Sequence, residues 1–210
     1  MSDHVSHDAK SHPHPHAHTL SPFARRSHAI ASLLVEKGLF TQEELRREIE
    51  VTARRSPADG ARLVARAWVD PEFKARLKAD PKAAAAELGI DATTYAEIVV
   101  VENTEEAHHL VVCTLCSCYP RTLLGVPPDW YKSLSYRSRA VSDPRGVMRE
   151  FGLELPDSVE VRVLDSTADM RYLVLPQRPP GTDHLTEQEL AQLVTRDSMI
   201  GVAAPGFEAA

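Results

Sequence analysis

The 210-residue sequence lacks the segments that carry a chain into or across a membrane. No uncharged apolar run approaches the ~18 residues of a spanning helix, and no basic-then-apolar signal stretch opens the chain. It also lacks an excess of positive charge, since 24 Lys and Arg stand against 30 Asp and Glu, for a net charge of −6. There is no basic stripe of the kind that binds nucleic acid. We therefore expect a cytoplasmic protein that binds neither membranes nor nucleic acid.

Cysteine is scarce, and its three copies are confined to residues 113–118 as Cys113, Cys116 and Cys118. An odd number of thiols this close together cannot form a disulfide framework that holds a fold. In a cytosolic chain such a cluster indicates a metal site or a redox site. The rest of the composition, 43% apolar and 26% charged, is that of an ordinary globular domain.

The first 59 residues differ from the rest of the chain. Residues 1–20 contain six of the ten histidines and little that is apolar, which predicts a disordered, His-rich tail able to bind divalent metal ions loosely. Residues 21–59 show two helical patterns, and the second opens with the capping sequence Thr41-Gln42-Glu43-Glu44. Two such helices cannot bury a core alone, so we expect an arm that packs on a partner subunit.

Residues 60–210 are expected to form one α+β domain. Asp70-Pro71 and Asp80-Pro81 each predict the start of a short helix, because an N-cap carboxylate precedes a proline suited to the first helical position. β-rich runs lead into the cysteines, a Pro-rich loop follows them, and a helix begins at Asp143-Pro144. Further strands are predicted at 159–164 and 171–175, paired with each other, and at 198–203. Without regular βαβ alternation, we expect layered α/β/β/α packing with mixed sheets.

The cysteine cluster allows several interpretations. A Cys113–Cys116 disulfide would be a redox site, but such motifs usually open a helix and have no third thiol two residues further on. A structural zinc ion could take the three thiolates with His108 or His109, although zinc sites usually join two separated pairs of ligands. An iron–sulfur cluster would require a fourth cysteine.

The tight spacing of Cys116-Ser117-Cys118 favours a different metal site. If both thiols reach one ion, the amide nitrogens of Ser117 and Cys118 are brought against it. Two nitrogens and two sulfurs then form a plane, Cys113 caps one side, and the sixth position stays open. Such a donor set suits a trivalent octahedral ion better than tetrahedral zinc. On spacing alone, this site and a Cys/His zinc site both remain open.

Residues 112–120, Val-Cys-Thr-Leu-Cys-Ser-Cys-Tyr-Pro, resemble the metal-binding motif of the nitrile hydratase α subunit. The resemblance extends over about residues 33–205, within the nitrile hydratase and thiocyanate hydrolase superfamily. The further segments that carry it are Ala65-Arg66-Ala67-Trp68-Val69-Asp70-Pro71-Glu72, Val99-Val100-Val101-Glu102-Asn103-Thr104, Trp130-Tyr131-Lys132-Ser133, Arg171-Tyr172-Leu173-Val174-Leu175-Pro176 and Thr195-Arg196-Asp197-Ser198-Met199-Ile200-Gly201-Val202.

The resemblance implies a ligand set and a cofactor. Cys113, Cys116 and Cys118 would supply sulfurs, and Ser117 and Cys118 amide nitrogens, with Cys116 oxidised to a sulfinate and Cys118 to a sulfenate. Thr114 stands where the cobalt branch of the family has threonine and the iron branch has serine, which implies Co(III) rather than Fe(III). The resemblance also implies a β subunit, in one or two chains, that closes the site, and an activator protein that delivers the metal.

The implied reaction is hydration of a nitrile to the corresponding amide, with Cys116, Ser117 and Cys118 as catalytic residues. The attacking oxygen comes either from a water activated by the ion or from the sulfenate of Cys118. The resemblance also implies that Asp165, Asp169 and Arg171 support the active-site network without binding the ion. An ion pair between Asp165 and Arg171 is the simpler interpretation of those two residues.

One departure concerns the substrate. Arg121 follows Tyr119-Pro120 where typical nitrile hydratases have tryptophan, and the thiocyanate hydrolase subunit also has arginine there. Arg121 is therefore a candidate substrate-binding residue, and thiocyanate hydrolysis to carbonyl sulfide and ammonia is the alternative activity. A non-catalytic zinc protein or metal carrier is a further alternative.

Overall fold

The computed structural model describes residues 21–94 and 97–206. The chain divides into two compact units, residues 1–48 and 49–210. The predicted tail, residues 1–20, lies outside the described residues. No helix within the described ranges is long and apolar enough to span a lipid bilayer.

The first two helices are exposed along their length. Helix α1 (Pro22–Glu36) begins at Ser21, whose hydroxyl accepts a hydrogen bond from the Ala24 amide. Helix α2 (Gln42–Arg54) has the predicted cap, because the Thr41 amide donates to Glu44 and the Glu44 amide donates to Thr41 Oγ1. Neither helix contains a fully buried residue.

Three helices follow in the second unit: α3 (Ala58–Val69), α4 (Pro71–Ala79) and α5 (Pro81–Glu87). The side chains of Asp70 and Asp80 accept hydrogen bonds from the amides of Phe73 and Ala83, so both predicted Asp-Pro helix starts are confirmed. Helix α3 buries Leu63 against the core.

The four described strands form two parallel pairs. Strand β1 (Glu97–Glu102) pairs with β4 (Met170–Leu175), and β2 (Ala107–Val112) pairs with β3 (Glu160–Asp165). The predicted pairing of β3 with β4 is therefore wrong, and these pairs are parallel where mixed sheets were expected. Every residue of β2 is buried, as is usual for strands covered on both faces. The α+β class itself is confirmed.

Short helices fill the remainder of the chain. Their bounds are α6 (Arg121–Leu124), α7 (Asp129–Lys132), α8 (Leu134–Ser142), α9 (Pro144–Glu150), α10 (Glu187–Leu193) and α11 (Arg196–Ile200). The segment predicted as a Pro-rich loop thus contains three helices, among them α8, which Ser133 caps. The predicted final strand at 198–203 is wrong, since Thr195 caps a helix there. The main core joins β1, β2, β4, α3 and α11 through Val100, Leu110, Leu173, Leu63 and Met199.

Candidate metal centre

The cysteine loop, residues 113–118, starts where the buried strand β2 ends. The Ser166 amide, just after β3, donates to the carbonyl of Val112 at 2.7 Å, and Cys113 is itself buried. The loop is therefore attached at its base to the β2–β3 pair. Cys116 is exposed and Cys118 is intermediate in burial, so the loop presents two of its sulfurs outward.

The three sulfur atoms converge. The Sγ atoms of Cys113 and Cys116 lie 3.5 Å apart, and those of Cys116 and Cys118 lie 3.3 Å apart. All three lie within 4.8 Å of one another, which places them within reach of a single ion. All three thiols are free, so no disulfide occupies the loop. Three convergent soft donors fit a transition metal such as cobalt, iron or zinc.

Backbone and thiol groups of the loop also act on the sulfurs. Hydrogen bonds from the Cys118 thiol and the Ser117 amide lower the pKa of Cys116 to about 7. The amide of Cys118 acts in the same direction. Burial raises the pKa of Cys118 to about 12, and the charge of Arg171 opposes part of that rise. Of these two thiols, Cys116 is the more readily available as a thiolate.

The neighbouring histidines do not join the cluster. His108 and His109 are buried within β2. The Nε2 atom of His108 lies 2.8 Å from the carbonyl oxygen of Gly201, and the Nδ1 atom lies 3.0 Å from Asn103 Nδ2. Asn103 Oδ1 accepts a hydrogen bond from the backbone amide of His109. The metal-capable group found among the described residues consists of cysteines alone, so the Cys/His zinc site is not assembled there.

Side chains outside the loop hold its backbone from several directions. The Thr114 amide donates to Asp165 Oδ1 at 2.9 Å, and the Thr114 hydroxyl donates to Asp165 Oδ2 at 2.5 Å. From α8, Arg137 donates to the carbonyls of Thr114 and Leu115. The Tyr131 hydroxyl donates to the carbonyl of Cys118 at 2.9 Å.

Sequence reasoning assigned no role to Arg137 or Tyr131. Arg137 lies on a helix in the segment predicted as a loop, so its direction could not be inferred. Tyr131 lies within the Trp130–Ser133 segment that carries part of the family resemblance, which was the only signal pointing to it.

The other predicted site residues are distributed unevenly. Asp165 contacts the loop through Thr114, whereas the guanidinium of Arg171 donates to nearby backbone carbonyls, including that of Ala168 at 2.9 Å. Asp169 has an exposed side chain, and its carbonyl accepts the Glu97 amide. Arg121 is the exposed first residue of α6, directly after Pro120. An ion pair between Asp165 and Arg171 stays a prediction.

Known proteins share both sequence and fold with this chain. The family described as "Nitrile hydratase, alpha chain" matches residues 21–203. The α subunit of the low-molecular-weight cobalt-containing nitrile hydratase of Rhodococcus rhodochrous is 52% identical over 183 residues, covering 87% of this chain and 88% of that subunit.

Two solved structures extend the comparison. A recombinant thiocyanate hydrolase with partially modified cobalt centres is 44% identical, with a TM-score of 0.85 over 90% of this chain and 92% of the other. A double mutant of the Fe-type nitrile hydratase from Comamonas testosteroni Ni1 is 43% identical, with a TM-score of 0.81 over 90% and 94%.

An α+β fold that gathers three thiols on one short loop defines a metalloprotein with a sulfur-ligated centre. The sequence and structure matches over most of the chain specify the family of this metalloprotein. The chain belongs to the nitrile hydratase α chain family, and the cysteine loop is its metal site.

Proposed function

We propose that the chain is the metal-bearing α subunit of a cobalt nitrile hydratase, which adds water to a nitrile to give the amide. The observation that carries this proposal is the convergence of the Cys113, Cys116 and Cys118 sulfurs within 4.8 Å on an exposed loop. Family membership supports the same chemistry, since a 52% identical relative is a cobalt-containing nitrile hydratase subunit.

The proposed ligands are the three sulfurs and the amide nitrogens of Ser117 and Cys118. Bound there, a trivalent cobalt ion would supply Lewis-acid chemistry. Thr114 and the cobalt-containing relative favour Co(III), while the Fe-type structural neighbour makes Fe(III) the alternative. Cys113 is the buried ligand and supports the ion from the protein side.

The two outward sulfurs are proposed to be oxidised, with dioxygen as the oxidant. Cys116 would take up both atoms of one dioxygen as a sulfinate, while Cys113 stays a thiolate. Cys118 would take up one atom of a second dioxygen as a sulfenate, and two molecules of an external thiol would reduce the other atom to water and leave as a disulfide. Burial supports this division, because thiol oxidation follows exposure and Cys113 is only 1% exposed. A water molecule then attacks the nitrile carbon and supplies the amide oxygen and two protons. In the alternative route the sulfenate oxygen of Cys118 attacks, its S–O bond breaks to leave that oxygen in the amide, and a water molecule restores the sulfenate and supplies the two protons.

Other chain residues are proposed to orient the reaction. Ser117 contributes its amide within the loop, and Arg121 contacts a polar group of the substrate. Asp165, Asp169 and Arg171 support the loop and the sulfur environment from outside.

The proposed assembly contains further proteins. A β subunit, in one chain or two, would cover the outward sulfurs, and an activator would deliver cobalt. In this arrangement residues 1–20 are a His-rich segment, residues 21–59 an arm against the partner, and residues 60–210 the catalytic domain. We place the complex in the cytoplasm.

Cobalt content and mass test the proposal directly. In the assembled complex matured with its activator, elemental analysis is expected to find about one cobalt per α chain. Intact-mass and peptide analysis should find two added oxygens on Cys116, one on Cys118 and none on Cys113. Stoichiometric zinc with unmodified cysteines and no turnover would contradict the enzyme proposal and favour a structural zinc site. A metal carrier would lose metal transfer on deletion of residues 1–18, whereas the enzyme should keep turnover.

Thiocyanate hydrolysis is the second candidate activity. It is favoured by Arg121 and by the thiocyanate hydrolase neighbour, which aligns at a TM-score of 0.85. A guanidinium suits an anion or a hydrogen-bonding substrate better than a plain aliphatic nitrile.

The Arg121→Trp variant separates the two activities. If Arg121 contacts an anion or a polar group, removing this charge-assisted hydrogen bond should cost about 1.5–3 kcal/mol, roughly ten- to a hundredfold in kcat/KM. A small aliphatic nitrile should be hydrated as well or better. Assays of the wild-type and Arg121→Trp complexes with an aliphatic nitrile, an aromatic nitrile and thiocyanate should show this difference between substrates. Equal changes for all three substrates would assign Arg121 to assembly instead.

A further inference from the structure

We propose that Arg137 is a positioning residue that sets the hydrogen bonding of the buried ligand Cys113 through the backbone of the cysteine loop. This role rests on the proposed cobalt site. It concerns a side chain on α8 that donates hydrogen bonds to the backbone of the loop.

The guanidinium of Arg137 spans two successive carbonyls. Its Nε donates to the Thr114 carbonyl at 3.2 Å, and its Nη2 donates to the same oxygen at 2.7 Å. The same Nη2 donates to the Leu115 carbonyl at 2.6 Å. Only a side chain with several donors in a fixed plane can hold two neighbouring carbonyls in this way.

The Leu115–Cys116 peptide connects this contact to the metal site. The Leu115 carbonyl and the Cys116 amide belong to one planar trans unit, so they point in opposite directions. On the far side of that unit, the Cys116 amide donates to Cys113 Sγ at 3.3 Å. A rotation that released the Leu115 carbonyl from Arg137 would therefore also turn the amide away from the sulfur.

The preceding residue is held from the other side. Asp165 binds the amide and hydroxyl of Thr114, while Arg137 binds its carbonyl. An anionic acceptor and a cationic donor thus fix both polar ends of Thr114. This leaves the Leu115–Cys116 peptide as the next unit whose orientation depends on Arg137.

An amide hydrogen bond to a thiolate withdraws electron density from the sulfur and so changes the metal–sulfur bond. Partners outside the ligand set commonly alter metal affinity or activity by about ten- to a hundredfold. Loss of Arg137 should therefore change both the electronic spectrum of the centre and the rate at which cobalt is lost. A residue that only stabilised the fold would leave the electronic spectrum unchanged.

The test compares the assembled, cobalt-loaded complexes of wild type, Arg137→Met, Arg137→Lys and Arg139→Met. Arg139 is the matched control, because it lies on the same helix and pairs with Glu150 at 2.6 Å and Asp143 at 3.4 Å. The readouts are the energy of the sulfur-to-cobalt charge-transfer band and the rate of cobalt extraction by excess chelator under reducing conditions.

Arg137→Met is expected to release cobalt about ten- to a hundredfold faster than wild type and to shift the band. Arg137→Lys should fall between them, since an ammonium keeps the charge but not the fork. Arg139→Met should match wild type in both readouts. If Arg137→Met matched Arg139→Met in both, the role of Arg137 would be overturned.

If the Arg137→Met complex does not assemble, the Arg137→Lys complex decides. Wild-type band energy and cobalt release in Arg137→Lys would overturn the proposed role of Arg137. A wild-type complex that holds no cobalt would overturn the proposed function and, with it, this role.

Discussion

Replacement of Cys116 by alanine is expected to leave the assembled complex without cobalt and without measurable amide formation. Cys116 lies between the other two sulfurs, 3.5 Å from that of Cys113 and 3.3 Å from that of Cys118. Its removal takes away the sulfur ligand that lies between the other two. Without the ion, the several kcal/mol that a Lewis acid contributes to the transition state are lost, which is about a thousandfold or more in rate. Elemental analysis and an amide assay on the same preparation measure both effects.

Ser117→Ala is the matched control for that variant. The proposed contribution of Ser117 is its backbone amide, which alanine retains, so cobalt content and turnover should stay near wild type. Cys113→Ala and Cys118→Ala should resemble Cys116→Ala in cobalt content. Stoichiometric cobalt and normal turnover in Cys116→Ala would rule out the proposed ligand set.

The parts of the fold that are encoded locally were predictable from sequence. Asp70 and Asp80 cap their helices as predicted, because an N-cap bond joins residues only three apart. Likewise, the spacing of three cysteines within six residues was sufficient to predict that their sulfurs would meet. The family resemblance contributed the identity of the site, and the comparisons confirm the family.

Features that depend on distant partners could not be predicted in the same way. The expected pairing of β3 with β4 was wrong because each strand pairs in parallel with an earlier one, and such pairing leaves no signal in the sequence between β3 and β4. The strand expected at 198–203 was wrong because the Thr195 cap starts a helix there. The hydrogen-bond partners of His108, Asn103 and Gly201, could not be predicted either, because only the fold brings them to this side chain.

Replacement of Gly201 by alanine is expected to destabilise the second unit strongly, although it adds only one methyl group. Gly201 ends α11 with φ +90°, a conformation that costs a non-glycine residue about 1–2 kcal/mol. A Cβ atom there would also overlap the backbone carbonyl of His109 in the buried strand β2. Backbone cannot move aside as a flexible side chain can, so we add about 1–3 kcal/mol for the overlap. A total near 3 kcal/mol corresponds to a fall in Tm of about 6–12 °C for a domain of this size.

Gly89→Ala separates the two contributions to that loss. Gly89 has a similar φ of +71°, but a Cβ atom there would meet no heavy atom within 4 Å. It should therefore show the conformational cost of about 1–2 kcal/mol alone. Thermal unfolding of the assembled complex carrying each variant measures the difference. Because the Gly201 carbonyl also lies 2.8 Å from His108 Nε2, the larger fall should be accompanied by loss of the buried His108 environment in NMR spectra. Equal Tm values for the two variants would mean that β2 and α11 do not approach as closely in solution as this contact requires.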